Sequence, residues 1–283
     1  MRCERAHPTG RAKGYMGWKS GKMKISIITV CYNAAKTIRD TCESVAAQRG
    51  VEIEHIVVDG GSADGTVREI TNYELRIANE KRRGFTFKWL SERDEGLYDA
   101  MNKGIRMATG DVVGILNADD VLAEDDTLAK IAAAFGDPEI DGTYADIRFV
   151  RELGGKTVRY CSGRWFRPWM FRFAVMPAHP SVFIRRERFE RYGFYSADYR
   201  ICADFELLLR FIWKHRIRTR YLPLCTTVMR TGGLSTAGWR SNLRINCEDL
   251  RALKAHGCWS CLPLIYLKYL FKIWGLVFRR VDV

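Results

Sequence analysis

The sequence predicts an α/β fold in which helices flank a doubly wound, mostly parallel sheet and a helical appendage follows at the carboxyl end. Two runs rich in β-branched residues, Ile25–Val30 and Ile53–Val58, are each followed by a segment with helical character. This strand–helix–strand–helix alternation is typical of parallel sheets with right-handed crossovers. At 283 residues, 47% of them hydrophobic, the chain is long enough to bury the core of one such domain.

The same alternation continues to about residue 150. Further strands are predicted over residues 86–90, 111–116, 142–150, 218–222 and 225–230. Helices are predicted over residues 34–48, from 66 onward, and over 98–108, 126–135, 204–214 and 239–255. Gly110 is predicted to cap the helix that ends near residue 108. From Lys156 onward the pattern becomes irregular and aromatic, which favours a packed flap or an acceptor-binding wall.

The formal net charge of +13 is concentrated at the two ends of the chain. Residues 1–22 carry three Arg, three Lys and one Glu, and residues 262–283 carry two Lys, two Arg and one Asp. The second segment is also strongly apolar, which fits an anionic membrane surface better than a nucleic-acid groove. Because Lys268 and Lys272 interrupt it, an interfacial helix is favoured over a spanning one.

Three segments are therefore expected. Residues 1–22 form a basic disordered extension, with natural translation expected to start at Met23, and residues 23–257 form the α/β domain. Residues 258–283 form a basic apolar helix, either an anchor on the membrane surface or a helix packed on the domain. No cleaved signal peptide is recognisable, so we expect a cytoplasmic protein, peripheral on the inner face of the plasma membrane. The nine cysteines are an odd number, which favours reduced thiols over a disulfide framework.

Two nucleotide-binding motifs are excluded. A dinucleotide fingerprint needs G-x-G-x-x-G after the first strand, where this chain has Cys-Tyr-Asn-Ala-Ala at residues 31–35. No G-x-x-x-x-G-K-[ST] phosphate loop follows any predicted strand. Nicotinamide, flavin, kinase and ATPase chemistries are thereby set aside.

Polar side chains instead follow several predicted strands. Asn33 follows the first, Asp59 ends the second, and Asn117, Asp119 and Asp120 follow the strand over 111–116. Ligands of open α/β sheets bind at the carboxyl ends of the strands. Carboxylates there suit a divalent cation such as Mg2+ or Mn2+ that neutralises a diphosphate, and Asp59 could accept a hydrogen bond from a pyrimidine imide. The combination describes a nucleotide-sugar site.

Four blocks of sequence resemble the family-two inverting glycosyltransferases of the GT-A fold, with the closest likeness to bacterial enzymes of polysaccharide and colanic-acid-type assembly. The blocks cover residues 27–33 (IITVCYN), 57–66 (VVDGGSADGT), 95–104 (EGLYDAMNKG) and 116–120 (LNADD). They occur in the family's order, and the resemblance extends over about residues 24–235. It implies a metal-dependent transferase domain and, as a family-level expectation, a UDP-sugar donor.

The resemblance also implies roles for individual residues. Asp59 corresponds to the base-contacting aspartate, and Thr29 and Asn33 to part of the nucleotide pocket. Asp119 matches the last Asp of the D-x-D metal motif, with Asp120 beside it. Asn117 replaces the first Asp of that motif, and its amide can still bond a ribose hydroxyl.

Further roles fall on the second half of the chain. Asp204, in a segment that resembles the one carrying the family's base, is expected to deprotonate the acceptor hydroxyl, with Glu206 as the weaker choice. His179 matches a histidine found near the diphosphate, and the 230–235 loop resembles one that closes over the donor. The Q-x-x-R-W signature of processive synthases is absent, so transfer of a single sugar is expected.

The predicted reaction is transfer of one sugar to a hydroxyl of a lipid-linked or polysaccharide acceptor in cell-envelope glycan synthesis. Three alternatives stay open. A degenerate transferase, suggested by Asn117 alone, would bind the nucleotide sugar without turnover. A nucleotidyltransferase would also use acidic residues and a metal, but would release pyrophosphate. A non-enzymatic protein that binds nucleic acid or membrane through its basic ends would be insensitive to loss of Asp119.

Overall fold

The computed structural model describes residues 23–231 and 238–269 of the chain. The predicted extension over residues 1–22, most of the 230–235 loop and the tail beyond residue 269 lie outside the described residues.

The first half of the chain builds the parallel part of one sheet. Its strands are β1 (Lys24–Cys31), β2 (Glu52–Asp59), β3 (Phe85–Ser91) and β4 (Val112–Ile115). They lie side by side in the order β3-β2-β1-β4, and all three pairings are parallel. Cys31 pairs with Asp59 and Asp59 with Ser91, so three strands end at the same level. The carboxyl ends of these strands therefore form one edge, where the predicted site residues emerge.

The second half extends the sheet beyond β4 with strands of both directions. They are β5 (Val121–Leu122), β6 (Gly142–Val150), β7 (Thr157–Cys161), β8 (Phe183–Arg185) and β9 (Thr219–Arg230). The order continues β4-β8-β6-β9-β5, with β7 on the side of β6. The central strand β8 runs antiparallel to both of its neighbours, so β6 and β9 again point in the same direction as β4.

β5, β7 and β8 were not predicted from the sequence, and one strand, β9, was predicted as two. β5 and β8 have two and three residues, too few to show a pattern, and β7 lies in the segment expected to be irregular. The strands predicted over 218–222 and 225–230 are the single strand β9. Pro223 lies between the two predicted strands and falls where the register with β6 shifts between Tyr144 and Asp146, so a bulge accommodates the proline.

Helices cover both faces of the sheet, which confirms the predicted doubly wound α/β class. They are α1 (Ile38–Ala46), α2 (Thr66–Glu80), α3 (Leu97–Met107), α4 (Thr127–Ala134), α5 (Arg186–Tyr192), α6 (Ala203–Leu208), continued by a π-helical segment Leu209–Lys214, and α7 (Gly238–Ala255). Buried side chains of α3, α6 and α7 form the core on one face, and those of α1, α2 and α4 form two clusters on the other.

Gly110 is not the cap of α3, as the sequence suggested. The helix ends at Met107, and Ala108 is already extended. A Cβ atom on Gly110 would lie 2.6 Å from Oγ of Ser26 and 2.9 Å from the carbonyl oxygen of Lys24. The glycine is therefore needed because the chain passes directly over the start of β1.

The described beginning of the C-terminal segment packs against the domain. Cys258 and Ile265 belong to the same buried cluster as α7, and residues 262–269 form a further helix. Nζ of Lys268 is buried and lies 2.8 Å from Oδ2 of Asp249 on α7. Lys268 therefore faces the domain, whereas in the sequence its charge, together with that of Lys272, predicted a helix at the membrane interface. The domain boundary at residue 257 stays a prediction.

Candidate active site

The loops that follow β1 and β2 are joined by hydrogen bonds through Asn33. Its backbone has φ of +50°, a left-handed conformation that asparagine tolerates better than most residues. The Asn33 amide donates to Oγ of Ser62 at 2.7 Å, and the Ala63 amide donates to Oδ1 of Asn33 at 3.0 Å. These bonds hold the exposed Asn33 at the carboxyl edge of the sheet, between the first two strands.

Asp59 lies beneath this edge and is fully buried. Its carboxylate accepts hydrogen bonds from the amides of Gly61 and Ser62 and from the hydroxyls of Ser62 and Ser91. Burial alone would raise the pKa of Asp59, but these hydrogen bonds, led by those from Ser62 and Ser91, leave it lowered. The geometry gives Asp59 the role of organising the loop between β2 and α2. The sequence led us to expect that Asp59 contacts the nucleotide base directly. The buried carboxylate does not offer that contact in this arrangement.

Thr29 does not reach the candidate site. Its side chain is fully buried on the α2 face of the sheet, and its hydroxyl lies 3.1 Å from Nε2 of His55. His55 in turn lies 3.1 Å from the hydroxyl of Tyr73. Thr29 precedes the end of β1 by two residues, so its side chain stays in the core, and the structure corrects its expected place in the nucleotide pocket.

The acidic cluster follows β4 at the same edge as Asn33. Asp120 is fully buried, and Nδ2 of Asn117 donates to its Oδ2 at 3.2 Å. Burial, followed by the neighbouring charge of Asp119, raises the pKa of Asp120 to about 7. The side chain of Asp119 is partly exposed and makes no hydrogen bond or ion pair within the described residues.

Two buried oxygens of this cluster lack partners. Oδ1 of Asn117 and Oδ1 of Asp120 receive no hydrogen bond, which is costly for buried polar atoms. Together with Asp119 they supply hard oxygen donors, the ligand type that Mg2+ and Mn2+ prefer. No group of three or more His, Cys, Asp or Glu that could hold a metal occurs in residues 23–231 and 238–269. Two carboxylates and one amide oxygen fit Mg2+ or Mn2+ only as a partial ligand set, which a substrate phosphate would have to complete.

Arg230 connects the acidic cluster to α1. At the end of β9, its guanidinium donates to the carbonyl oxygen of Asp119 at 3.2 Å and forms an ion pair with Asp40. It is the first residue of the loop that the resemblance associates with donor phosphates. Arg230 thus brings a positive charge directly beside the candidate cation site.

A second carboxylate, Asp204, occupies the first turn of α6. Oδ1 of Asp204 accepts the backbone N–H of Phe205 at 2.8 Å, and the hydroxyl of Tyr98 lies 3.3 Å from the same oxygen. The ring of Tyr98 stacks on Tyr195 at 5.6 Å, and Nε2 of His179 lies 2.6 Å from the Tyr195 hydroxyl. Burial lowers the pKa of His179, although the nearby Asp204 opposes this shift. The structure thus brings Asp204 and His179 into one group.

Glu206, the other acidic residue of this turn, is engaged elsewhere. It is buried, and its carboxylate lies 2.9 Å from Nε of Arg210 and 2.6 Å from Nε2 of His256. A carboxylate held by two such partners is not free to accept a substrate proton. This arrangement supports Asp204 over Glu206 as the base.

Both groups of residues lie at the carboxyl end of β4. The 3₁₀ segment His179–Ser181 contacts β4, β6 and β9, and the hydroxyl of Thr227 on β9 donates to the carbonyl oxygen of Pro180. The acidic cluster directly follows β4, and Arg230 ends β9. His179 therefore lies at the same edge as the acidic cluster, and Tyr195 connects it to the group around Asp204.

Sequence reasoning missed several residues of this edge. Tyr32 follows β1 and has 67% of its surface exposed, unusual for an aromatic side chain. Asp94 lies in the loop before α3, and Tyr98 and Tyr195 flank Asp204 and His179. Tyr32 and Tyr98 stand inside blocks that carried the family resemblance. The contact of Tyr98 with Asp204 spans 106 residues, so only the fold reveals it.

The fold is that of the GT-A glycosyltransferases. Among solved structures, Staphylococcus aureus TarS superposes with a TM-score of 0.62 at 18% identity, over 92% of this chain and 45% of TarS. A form of TarS in complex with UDP-GlcNAc matches with a TM-score of 0.57. The mannosyltransferase PcManGT of Pyrobaculum calidifontis, in complex with GDP-Man and Mn2+, matches with a TM-score of 0.59 at 18% identity, over 91% of this chain and 73% of its own. This chain thus spans less than half of that TarS chain.

The sequence comparisons specify the family. The model of glycosyl transferase family 2 matches residues 26–192. A PGL/p-HBAD biosynthesis glycosyltransferase of Mycobacterium bovis is 34% identical over 217 residues, which cover 74% of this chain and 78% of the relative. The protein belongs to glycosyl transferase family 2, and the sequence prediction of an enzyme of this class is confirmed.

Proposed function

We propose that the protein transfers one sugar, with inversion, from a nucleotide-diphosphate sugar to a hydroxyl of a lipid-linked or polysaccharide acceptor in cell-envelope glycan synthesis. The observation that carries this proposal is the presence of two distinct acidic groups, each with its own partners, in one family 2 domain. One is the oxygen-rich cluster after β4, and the other is Asp204 beside Tyr98. A single displacement needs one acidic group at the leaving diphosphate and another at the attacking hydroxyl.

The donor nucleotide is expected to lie across the ends of β2, β1 and β4. The exposed ring of Tyr32 offers a surface for base stacking, and Asn33 offers an amide beside it. UDP is the proposed nucleotide, supported by the UDP-GlcNAc complex of TarS, although PcManGT binds GDP-Man.

Asn117, Asp119 and Asp120 would hold Mg2+ or Mn2+. The presence of Mn2+ in the PcManGT complex supports this assignment, as do the unpartnered buried oxygens of Asn117 and Asp120. When bound, the cation offsets the negative charge that develops on the departing diphosphate. Arg230 adds a second positive charge at this position, once a phosphate competes with Asp40 for its guanidinium.

Asp204 would act as general base in the displacement. The acceptor oxygen forms a bond to the anomeric carbon while the bond from that carbon to the diphosphate oxygen breaks. The hydroxyl proton passes to the carboxylate of Asp204, and the electron pair of the broken bond leaves with the nucleoside diphosphate. Burial, followed by the charge of Asp204, raises the pKa of Tyr98, so the phenol stays protonated and can orient the base.

Attachment to the inner face of the plasma membrane is part of the proposal. The described start of the C-terminal segment exposes four apolar or aromatic side chains: Trp259, Leu262, Tyr266 and Leu267. Tryptophan, tyrosine and leucine beside basic residues are typical of interfacial segments. Within residues 23–231 and 238–269, no helix is long and apolar enough to cross a bilayer.

A thermal-shift series tests the donor half of the proposal. UDP, GDP and dTDP are added with and without Mn2+ to the wild type and to Asp119→Ala. The proposal expects a metal-dependent rise in Tm for at least one nucleotide, lost in the variant. A folded wild-type protein that responds to none of the nucleotides would contradict it.

A further inference from the structure

Asp94 is a partly exposed carboxylate close to the end of β2, where the sequence had placed a base contact on Asp59. We propose that Asp94 recognises the base of the donor nucleotide by accepting a hydrogen bond from its ring N–H. The inference rests on the proposed function, because it assigns a residue to the nucleotide pocket of that site.

The position of Asp94 depends on the glycine that follows β2. A Cβ atom on Gly60 would lie 2.8 Å from Oδ2 of Asp94 and 3.3 Å from its Cγ. The carboxylate of Asp94 therefore lies directly on the face of Gly60, in space that any side chain at position 60 would occupy. Asp94 itself comes from the loop between β3 and α3, so the chain delivers a carboxylate to the end of β2 from a neighbouring strand.

The acceptor capacity of Asp94 is largely unused. Its single hydrogen bond within the described residues comes from the amide of Gly96 to Oδ1, at 3.2 Å. Oδ2 receives none, and the side chain is only half-buried, so a ligand can reach it. Burial raises the pKa of Asp94, with a smaller contribution from the charges of Asp99 and Asp59. A ligand N–H would satisfy this carboxylate, whereas Asp59 already accepts hydrogen bonds from Gly61 and Ser62 of its own loop and from Ser91 of β3.

Asp94 and Tyr32 flank the same point of the sheet. Cys31 of β1 pairs with Asp59 of β2, and the amide of Gly60 donates to the carbonyl oxygen of Cys31 at 2.9 Å. The next residues, Tyr32 and Gly60, therefore stand side by side at the ends of adjacent strands. An exposed aromatic ring next to an open carboxylate is suited to a planar base that also carries a hydrogen-bond donor.

The position of Asp94 predicts which nucleotide bases the site binds. Uracil, thymine and guanine each carry a ring N–H that an ionised carboxylate accepts. Cytosine and adenine present a ring nitrogen lone pair at the corresponding position, which a carboxylate repels. Asp94 therefore selects UDP, dTDP or GDP over CDP or ADP.

Calorimetric binding of UDP and CDP to the full chain tests the assignment. We expect the wild type to prefer UDP, and Asp94→Asn to lose about 10- to 100-fold in UDP affinity, the range for hydrogen bonds to charged groups. Because an asparagine amide can donate to the ring nitrogen of cytosine, CDP should lose little or gain. Asn keeps the bond from Gly96, so folding is preserved, and Glu95→Gln is the exposed neighbouring control. If the wild type prefers guanine nucleotides, GDP and ADP replace UDP and CDP.

A second variant keeps residue Asp94 but shifts its carboxylate. Gly60→Ala puts a methyl group 2.8 Å from the carboxylate, whereas Gly65→Ala, in the same loop, meets nothing closer than 3.5 Å. We expect the first to weaken UDP binding and the second to leave it unchanged. Equal loss of UDP and CDP affinity in Asp94→Asn, or no loss, would overturn the inference while leaving the proposed function standing. A folded wild type that binds no nucleotide would remove both.

Discussion

The hydroxyl of Tyr98 lies 3.3 Å from Oδ1 of Asp204, which joins the start of α3 to the start of α6. The same hydroxyl also contacts the carbonyl oxygen of Ile201, immediately before α6. The half-buried phenol thus contacts both the proposed base and the turn that presents it. This relationship links the third sequence block of the family to the residue expected to take the acceptor proton.

Tyr98→Phe should lower kcat while leaving nucleotide affinity nearly unchanged. Removing the hydroxyl frees the Asp204 carboxylate to rotate, and loss of one positioning contact commonly costs about 10- to 100-fold in rate. Steady-state release of nucleoside diphosphate measures the effect. Tyr73→Phe is the matched control, because its buried hydroxyl contacts His55 on the other face of the sheet. That variant should lose about 1 kcal/mol of stability and no activity, and equal kcat losses in both would contradict a role for Tyr98.

Asp120→Asn should stabilise the metal-free protein and abolish stabilisation by Mn2+. The buried carboxylate of Asp120 has one weak donor and an unpartnered oxygen, so removing its charge relieves a desolvation cost. Melting curves in EDTA and in Mn2+ measure both effects. Asp126→Asn, at an exposed ion pair with Lys130, is the control and should change neither curve. A rise in Tm with Mn2+ that survives Asp120→Asn would exclude Asp120 as a ligand.

Glu54 should make the fold sensitive to acid. Burial would raise its pKa, but hydrogen bonds from Lys88, Ser26 and Thr109 lower it to about 2. An acid with a lowered folded pKa contributes stability above its unfolded value of 4.5, and this contribution disappears as the pH falls from there toward 2. At about 1.36 kcal/mol per pH unit, the upper bound is about 3 kcal/mol.

Chemical denaturation at pH 7 and pH 3 measures the contribution of Glu54. Glu54→Gln should lose stability at pH 7 and show a smaller difference between the two pH values than the wild type. Glu80→Gln, at a half-exposed pair with Arg76, should behave like the wild type. An unchanged pH dependence in Glu54→Gln would show that other groups cause the acid sensitivity.

Removal of residues 270–283 should reduce recovery with anionic vesicles without affecting nucleotide binding. Truncation before residue 270 is unsuitable, because Ile265 is fully buried and Lys268 pairs with Asp249. Cosedimentation with vesicles, with and without anionic lipid, measures the effect, which should weaken as salt rises. The variant Trp259→Ala, which keeps the tail, tests the exposed surface of the folded part. If the truncated chain cosedimented with vesicles as fully as the wild type, residues 270–283 would not be the membrane attachment.

The parallel half of the fold could be predicted from the sequence because its signals are local. The buried run over residues 111–116 and the acidic residues after it correctly located β4 and the cluster at its end. The site was harder, because its contacts depend on residues distant in the chain. Thr29 looked like a pocket residue from its place in a block, yet strand alternation turns it toward His55 in the core.

Asp59 and Asp94 illustrate the same limit. A carboxylate at a strand end is visible in the sequence, but the donors to Asp59 come both from its own loop and from Ser91, 32 residues further along the chain. The approach of Asp94 to Gly60 joins the loops after β3 and β2, and no spacing rule encodes it. By contrast, the choice of Asp204 over Glu206 rested on the family pattern, and the ion pairs of Glu206 support it.

The proposed sugar transfer is tested most directly by identifying the nucleotide product released from a panel of nucleotide sugars. The wild type and Asp204→Asn are compared in the presence of Mn2+, with membrane extract supplying the acceptors. We predict release of a nucleoside diphosphate by the wild type and a loss of at least about 1,000-fold in Asp204→Asn, as for removal of a catalytic base, with nucleotide binding retained. Asp198→Asn, an exposed carboxylate before the same helix, should remain active. Release of pyrophosphate, or full turnover by Asp204→Asn, would contradict the account.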